Sequence, residues 1–249
     1  ATQAAASPTS SPAPTTAPPS GEPVPAPRRT RVVPVSPETL ARNRIVTSSG
    51  AVSPAADAFR VLRTQLLSRL ETLNGRAIAV CAATAGAGKT FVAVNLAISI
   101  ARHLHLTALL VDLDLRRPSV HRYFDLQPES GLSDYLLGTR PLEDCLVNPG
   151  IERLVLLPQV HSLEHSSELL ALPRMGELVG QLKARYADRV VILDCPPLLA
   201  TDDAIHATGY ADGCVLVVAE GTTTKDELLR AAELIGEEKY LGSVLNNVR

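Results

Sequence analysis

The sequence predicts an α/β fold: a doubly wound, mostly parallel sheet with helices on both faces, preceded by a disordered N-terminal tail. Three observations lead there. Six short apolar runs lack the period-two alternation of half-exposed strands, as strands buried on both faces do. Segments of helical periodicity separate most of them. The first run ends in a glycine-rich turn that opens an apolar helix, Ala83-Thr-Ala-Gly-Ala-Gly-Lys-Thr90.

Residues 1 to about 50 are rich in Ala, Pro, Ser and Thr, and ten of the 19 prolines precede position 38. Such a stretch cannot bury enough apolar surface to offset its ordering entropy, so it reads as a disordered tail, with the ordered domain spanning 51–249. Within the tail, Arg28-Arg-Thr-Arg31 reads as a solvated linker cluster, the alternative being contact with an acidic membrane surface or partner. Order is expected from Ser53-Pro54, an N-cap and first-turn proline. Phe59, Leu62, Leu66, Leu70 and Leu73 then recur at helical spacing until Asn74-Gly75. Strands are expected at Ala77–Ala83, Ala108–Leu113, Leu154–Leu157, Val190–Leu193, Cys214–Ala219 and Gly242–Leu245. Helices are expected near Gly88–His103, Met175–Ala187, Asp203–Thr208 and Thr224–Lys239. No internal repeat interrupts this order.

Composition narrows the function. The chain of 249 residues is 45% hydrophobic and carries a formal net charge of −2. Arg28, Arg29, Arg31, Arg42 and Arg44 against Glu22 and Glu38 give the first fifty residues +3, so the remainder carries −5. An acidic domain argues against general nucleic-acid binding. Cys81, Cys145, Cys195 and Cys214 form no CxxC pair and sit mostly in apolar runs, which suits a reducing, cytoplasmic compartment. No apolar leader or spanning stretch is apparent in the sequence. His103, His105, His121, His161, His165 and His206 show no metal-ligand spacing.

The glycine-rich turn has the strand-turn-helix context of a phosphate-binding loop. Gly86 and Gly88 let backbone N–H groups curl around phosphate oxygens, and the helix N-terminus adds positive potential. Ala85, Gly86, Ala87, Gly88, Lys89, Thr90 and Phe91 are the candidate nucleotide-binding residues. Lys89 is placed for the β- and γ-phosphates and the Thr90 hydroxyl for Mg²⁺. The strict GxxxxGK[ST] pattern has Gly where this chain has Ala83. Two further strands end in carboxylates: Ala108-Leu-Leu-Val-Asp112-Leu-Asp114-Leu-Arg116 and Val190-Val-Ile-Leu-Asp194-Cys-Pro-Pro197. Ligands of parallel sheets bind at the strands' carboxyl ends, so Asp112, Asp114 and Asp194 should converge on the loop. Lys89 and these three are the candidate catalytic residues, with Thr90, Asp112 and Asp194 the candidate metal ligands of Mg·ATP. Each Asp taken alone could be a strand-end turn residue.

With those motifs in place the chain resembles the bacterial tyrosine kinases of polysaccharide loci, the CpsD/CapB type, over roughly residues 53–247. In that likeness the loop is Walker A, Val111-Asp-Leu-Asp-Leu-Arg-Arg-Pro118 is Walker A′ and Leu193-Asp-Cys-Pro-Pro197 is Walker B. Gly131-Leu-Ser-Asp-Tyr-Leu-Leu-Gly138, Ser167-Glu-Leu-Leu170, Thr201-Asp-Asp-Ala204 and Leu241-Gly-Ser-Val-Leu-Asn246 also match. The resemblance implies a P-loop fold of MinD/ParA type and an autokinase using ATP and Mg²⁺ that governs exopolysaccharide or capsule polymerisation. It implies that Asn246, or else Asn247, reads the adenine. It also implies that Asp57-Ala-Phe-Arg60-Val-Leu-Arg63 corresponds to an ExxRxxR self-association motif, Asp standing for Glu. A membrane polysaccharide co-polymerase is the implied partner, recruiting a cytoplasmic protein to the inner membrane.

One departure matters: such kinases present a C-terminal tyrosine cluster, whereas Tyr123, Tyr135, Tyr186, Tyr210 and Tyr240 are scattered. Tyr240 is the candidate acceptor. Two other readings therefore stand beside the kinase: a non-catalytic, nucleotide-dependent adaptor, and a MinD/ParA-like switch ATPase. The switch proteins carry an extra lysine early in the loop, which is missing between Arg76 and Lys89.

Overall fold

The computed structural model describes residues 30–46 and 53–247. In chain order the elements are β1 (Arg31–Val32), α1 (Pro37–Arg42), α2 (Pro54–Thr72), β2 (Ala77–Ala82), α3 (Lys89–Ala101) and β3 (Thr107–Asp112). Then come α4 (Val120–Tyr123), α5 (Leu132–Leu136), α6 (Leu142–Cys145), β4 (Val147–Asn148), β5 (Leu154–Leu157) and α7 (Ser166–Leu170). The last are α8 (Pro173–Ala184), β6 (Arg189–Asp194), α9 (Asp203–Gly209), β7 (Gly213–Ala219), α10 (Lys225–Ile235) and β8 (Tyr240–Asn246).

The strands form one sheet in the order β1-β4-β5-β3-β6-β2-β7-β8. Every neighbouring pair is parallel except β4 with β5. Both faces of β2, β3, β5, β6 and β7 are covered, which is why these strands read as unbroken apolar runs. Ile78, Val80, Ala82, Leu110, Ile192 and Val217 face α2 and α3. Their neighbours Ala79, Cys81, Leu109, Val111, Val191 and Leu216 point to the other side, against α8, α9 and α10. α3 lies so deep that twelve of its thirteen residues are buried, Phe91 being the exception. The four cysteines are buried free thiols. Among the described residues no helix is long and apolar enough to cross a membrane.

All six expected strands are present within one or two residues at each end. The helices run shorter than expected where a local signal stops them. Gly236, at φ 79°, ends α10 four residues early, and a Thr224–Glu227 capping box starts it. Ser53 does stand at the N-cap of α2, but its side chain makes no capping bond.

The tail expectation is corrected for residues 30–46, which fold. Val33 and Val35 donate backbone N–H bonds to Asn148 and Pro149 at 2.8 and 3.1 Å, extending the β1–β4 pairing. Ser36 caps α1 by accepting from the Thr39 N–H at 3.1 Å, with Pro37 in the first turn. Ile45 is buried in the α2–α3 core, and the Val46 N–H donates to the buried Asn95 side chain at 2.7 Å. Composition averaged over fifty residues masked this short, well-capped stretch. The tail expectation for residues 1–29 and 47–52 lies outside the described residues.

Candidate active site

The loop between β2 and α3 is set by its glycines. Gly86 and Gly88 adopt φ 83° and 90°, the left-handed region that L side chains avoid. A Cβ on Gly88 would also collide with the Asn246 amide. Ala83 is not in that region, so the first loop position does not require glycine. Ala85 and Gly86 form an exposed crown, while Ala87 is buried. Lys89, Thr90 and Phe91 open α3, where N–H groups have no intrahelical acceptor and are free to bind an anion. The Phe91 ring turns away and meets Phe59 of α2 edge-on, with centroids 6.0 Å apart. Asn246, at the end of β8, donates its side-chain amide to the Ala87 carbonyl at 2.9 Å, so the last strand buttresses the loop.

The expected carboxylates converge on this loop. β3 and β6 are adjacent and in register, which puts Asp112 beside Asp194, both with 0% exposure. Lys89, 8% exposed, reaches Asp114 Oδ2 at 3.2 Å. The Thr90 hydroxyl donates to Asp194 Oδ2 at 2.6 Å. Asp112 Oδ2 accepts the Ser119 and Val120 N–H groups at 2.9 and 3.0 Å, and its Oδ1 accepts the Asp114 N–H at 3.2 Å.

The electrostatics follow from burial. Burial pushes the Asp112 carboxyl well above the carboxylate range and the charge of Asp194 adds to this, partly offset by the two N–H donors. Burial also raises Asp194, to about 6, against the lowering pull of Lys89 and Thr90. Burial works to depress the Lys89 ammonium, but Asp194, Asp114 and Asp112 outweigh it and hold it above its ordinary value.

This donor set fits Mg²⁺. Three carboxylates face one ammonium, and Asp194 Oδ1 is buried without a hydrogen-bond partner. Among the described residues no three His, Cys, Asp or Glu side chains form a closed metal cage. Mg²⁺ does not need one, because it takes one or two carboxylates and completes its shell with waters and phosphate oxygens. Thr90, Asp112 and Asp194 are the residues that would hold it.

Sequence reasoning missed Ser119. It stands at the N-cap of α4 but makes no capping bond; its Oγ lies 3.0 Å from the Thr90 hydroxyl instead. No periodicity marks it; only its place five residues after Asp114 brings it back to the loop. Also unassigned by sequence were the partners of Arg116, namely Ser166 and Asp203.

The α2 flank departs from expectation in one residue. Asp57 and Arg60 form an exposed i,i+3 ion pair. Arg63 instead donates to the Ser99 carbonyl of α3 in the same chain at 2.8 Å, at a helix C-terminus that favours a cation.

A parallel sheet with a glycine loop, a buried lysine and strand-end carboxylates defines a P-loop nucleotide-binding domain. Residues 75–225 match the AAA domain family described as AAA_31. The tyrosine-protein kinase YwqD of Bacillus subtilis is 30% identical over 207 residues, 82% of this chain and 86% of that protein. The tyrosine-protein kinase Wzc of Salmonella typhimurium is 30% identical over 196 residues, which is 78% of this chain but 27% of Wzc. The kinase domain of the Escherichia coli tyrosine kinase ETK superposes with a TM-score of 0.74 at 28% identity, covering 88% of this chain and 89% of that domain. The chain belongs to the bacterial tyrosine-protein kinase family.

Proposed function

We propose that this chain is an ATP-dependent protein-tyrosine kinase acting in exopolysaccharide or capsule assembly. The observation that carries the proposal is the pairing of Lys89 with Asp114 beside Asp112 and Asp194, at the carboxyl ends of β3 and β6. The loop N–H groups and Lys89 bind the phosphates of ATP. Asn246, already against the loop, reads the base. Mg²⁺, when bound, neutralises phosphate charge and orients the γ-phosphate. One of the three carboxylates orients the tyrosine phenol or accepts its proton.

The proposal includes self-association through the α2 flank bearing Asp57 and Arg60, with Arg63 bracing α2 onto α3. It also includes docking to a membrane polysaccharide co-polymerase, which would hold a cytoplasmic domain at the inner membrane. Tyr240 is the candidate acceptor on this chain: it is 38% exposed and begins the edge strand β8.

A second reading, an ATPase that serves as a nucleotide-dependent adaptor, is favoured by one observation. The Tyr240 phenol is hydrogen-bonded to Ser243 on a paired strand, so reaching a neighbour's site requires local opening. Mass spectrometry after incubation with Mg·ATP, with and without the membrane partner, separates the two. Phosphotyrosine on this chain or the partner supports the kinase. Phosphate release without any phosphotyrosine overturns it in favour of the adaptor.

A further inference from the structure

A second buried polar cluster lies further along the loop that leaves β3. Asp203 and Ser166 are both fully buried. Arg116 Nε donates to Asp203 Oδ2 at 2.8 Å and to Ser166 Oγ at 2.9 Å. The Ser166 hydroxyl donates to the same Asp203 oxygen at 2.6 Å. Two further bonds reinforce the link: the Ser162 hydroxyl donates to the Arg116 carbonyl at 2.5 Å, and the Leu163 N–H to the Leu115 carbonyl at 2.9 Å. One guanidinium thus ties the loop to the first residues of α7 and α9.

The cluster is poorly made for stability alone. Asp203 Oδ1 is buried with no partner among the described residues, and a buried carboxylate oxygen without a donor is destabilising. Asp203 is buried while the Arg116 side chain is 39% exposed, and a carboxylate taken out of water into such a pair gains little over apolar packing of the same volume. What the cluster does achieve is a fixed loop. Two residues before Arg116, Asp114 accepts the Arg117 N–H at 3.0 Å, contacts Lys89 and donates its own N–H to Asp112. A displacement at Arg116 is therefore transmitted through two peptide units to the groups that meet the γ-phosphate.

We infer that Asp203 and Ser166 are positioning residues for the γ-phosphate end of the site, acting through Arg116 on Asp114 and Lys89. This rests on the nucleotide-site reading. It separates two ligands: ADP meets Lys89 only through its β-phosphate, whereas ATP also places a γ-phosphate at the Asp114–Lys89 end, so ATP is the more sensitive to a displaced loop.

The test is calorimetry of Mg·ADP and of a non-hydrolysable Mg·ATP analogue on wild type, Asp203→Asn, Ser166→Ala, Arg116→Ala, Arg116→Lys and the Arg116→Ala/Asp203→Asn double variant. ADP affinity stays within about twofold in every variant, while analogue affinity falls about tenfold in Arg116→Ala and in Asp203→Asn, the scale of one charge-assisted hydrogen bond. The double variant binds the analogue no more weakly than either single one, since the two act as a unit. Arg116→Lys, which keeps the charge but not the planar fork, recovers part of the loss. Should Arg116→Ala not fold, Asp203→Asn and Ser166→Ala still report the ratio. Parallel losses of ADP and analogue, an unchanged analogue affinity, or losses that add in the double variant overturn the inference. Wild type that binds both ligands but transfers no phosphate defeats the kinase proposal alone; wild type that binds neither defeats both.

Discussion

The Thr90 hydroxyl donates to the Asp194 carboxylate at 2.6 Å, joining the first turn of α3 to the end of β6. These residues are 104 positions apart in the chain. The bond leaves the other Asp194 oxygen buried and unpartnered, so the site is built with one acceptor to spare. That arrangement suits a cation that arrives with the nucleotide rather than one held permanently.

Asp194 makes the stability of the fold depend on pH. Its carboxyl titrates near 6 in the fold against an ordinary 3.8, so between those values the native state holds more protons than the unfolded chain. Stability from this group is therefore present at low pH and lost as pH rises through that window. Asp194→Asn should be more stable than wild type at pH 7.5, a gain that shrinks as pH falls and vanishes near pH 4. Denaturant unfolding at the two pH values reads this out, and a variant that matches wild type at both pH values would refute it. The same variant should lose turnover.

Lys89→Met should weaken Mg·ATP binding about ten- to a hundredfold, since the ammonium makes charge-assisted contacts worth roughly 1.5–3 kcal/mol. The fold should survive, because α3 is held by its apolar surface. Equal calorimetric affinity in wild type and variant, both melting cooperatively, would sink the phosphate-loop reading.

The two loop glycines should differ. Gly86→Ala meets no neighbour, so it carries only the backbone strain of φ 83°. Forcing a non-glycine residue there costs about 1–2 kcal/mol. Gly88→Ala adds a collision with the Asn246 side-chain amide, which must swing off the Ala87 carbonyl, and should cost more. Thermal unfolding should rank wild type above Gly86→Ala and that above Gly88→Ala. Combining Gly88→Ala with Asn246→Gly should recover part of the difference; no recovery would mean that the collision is not the cause.

On α2 the roles should divide. Asp57→Ala with Arg60→Ala should shift any assembly toward monomers and leave the melting temperature nearly unchanged, as exposed ion pairs contribute about 0–1 kcal/mol. Arg63→Ala should lower stability instead, by removing the bond to the Ser99 carbonyl. Sedimentation and thermal melts of the same proteins test both statements. Unaltered sedimentation of the Asp57/Arg60 double variant, at concentrations where wild type associates, would remove that flank from the interface.

By itself the sequence determined the sheet class, the six principal strands, the phosphate loop and the three strand-end carboxylates. Each of these is a local matter. Apolar runs follow from burial on both faces, the glycines from the backbone conformation at Gly86 and Gly88, and the carboxylates from the end of a strand. Tertiary structure alone decided which groups those residues meet. Arg116 finds Asp203 across 87 positions, Val46 finds Asn95 across 49, and Arg63 turns to Ser99 rather than outward. No spacing rule encodes such pairs, because they form only once the chain has closed long loops around a common core. Their partners are chosen by where the core places them, not by where they stand in the chain.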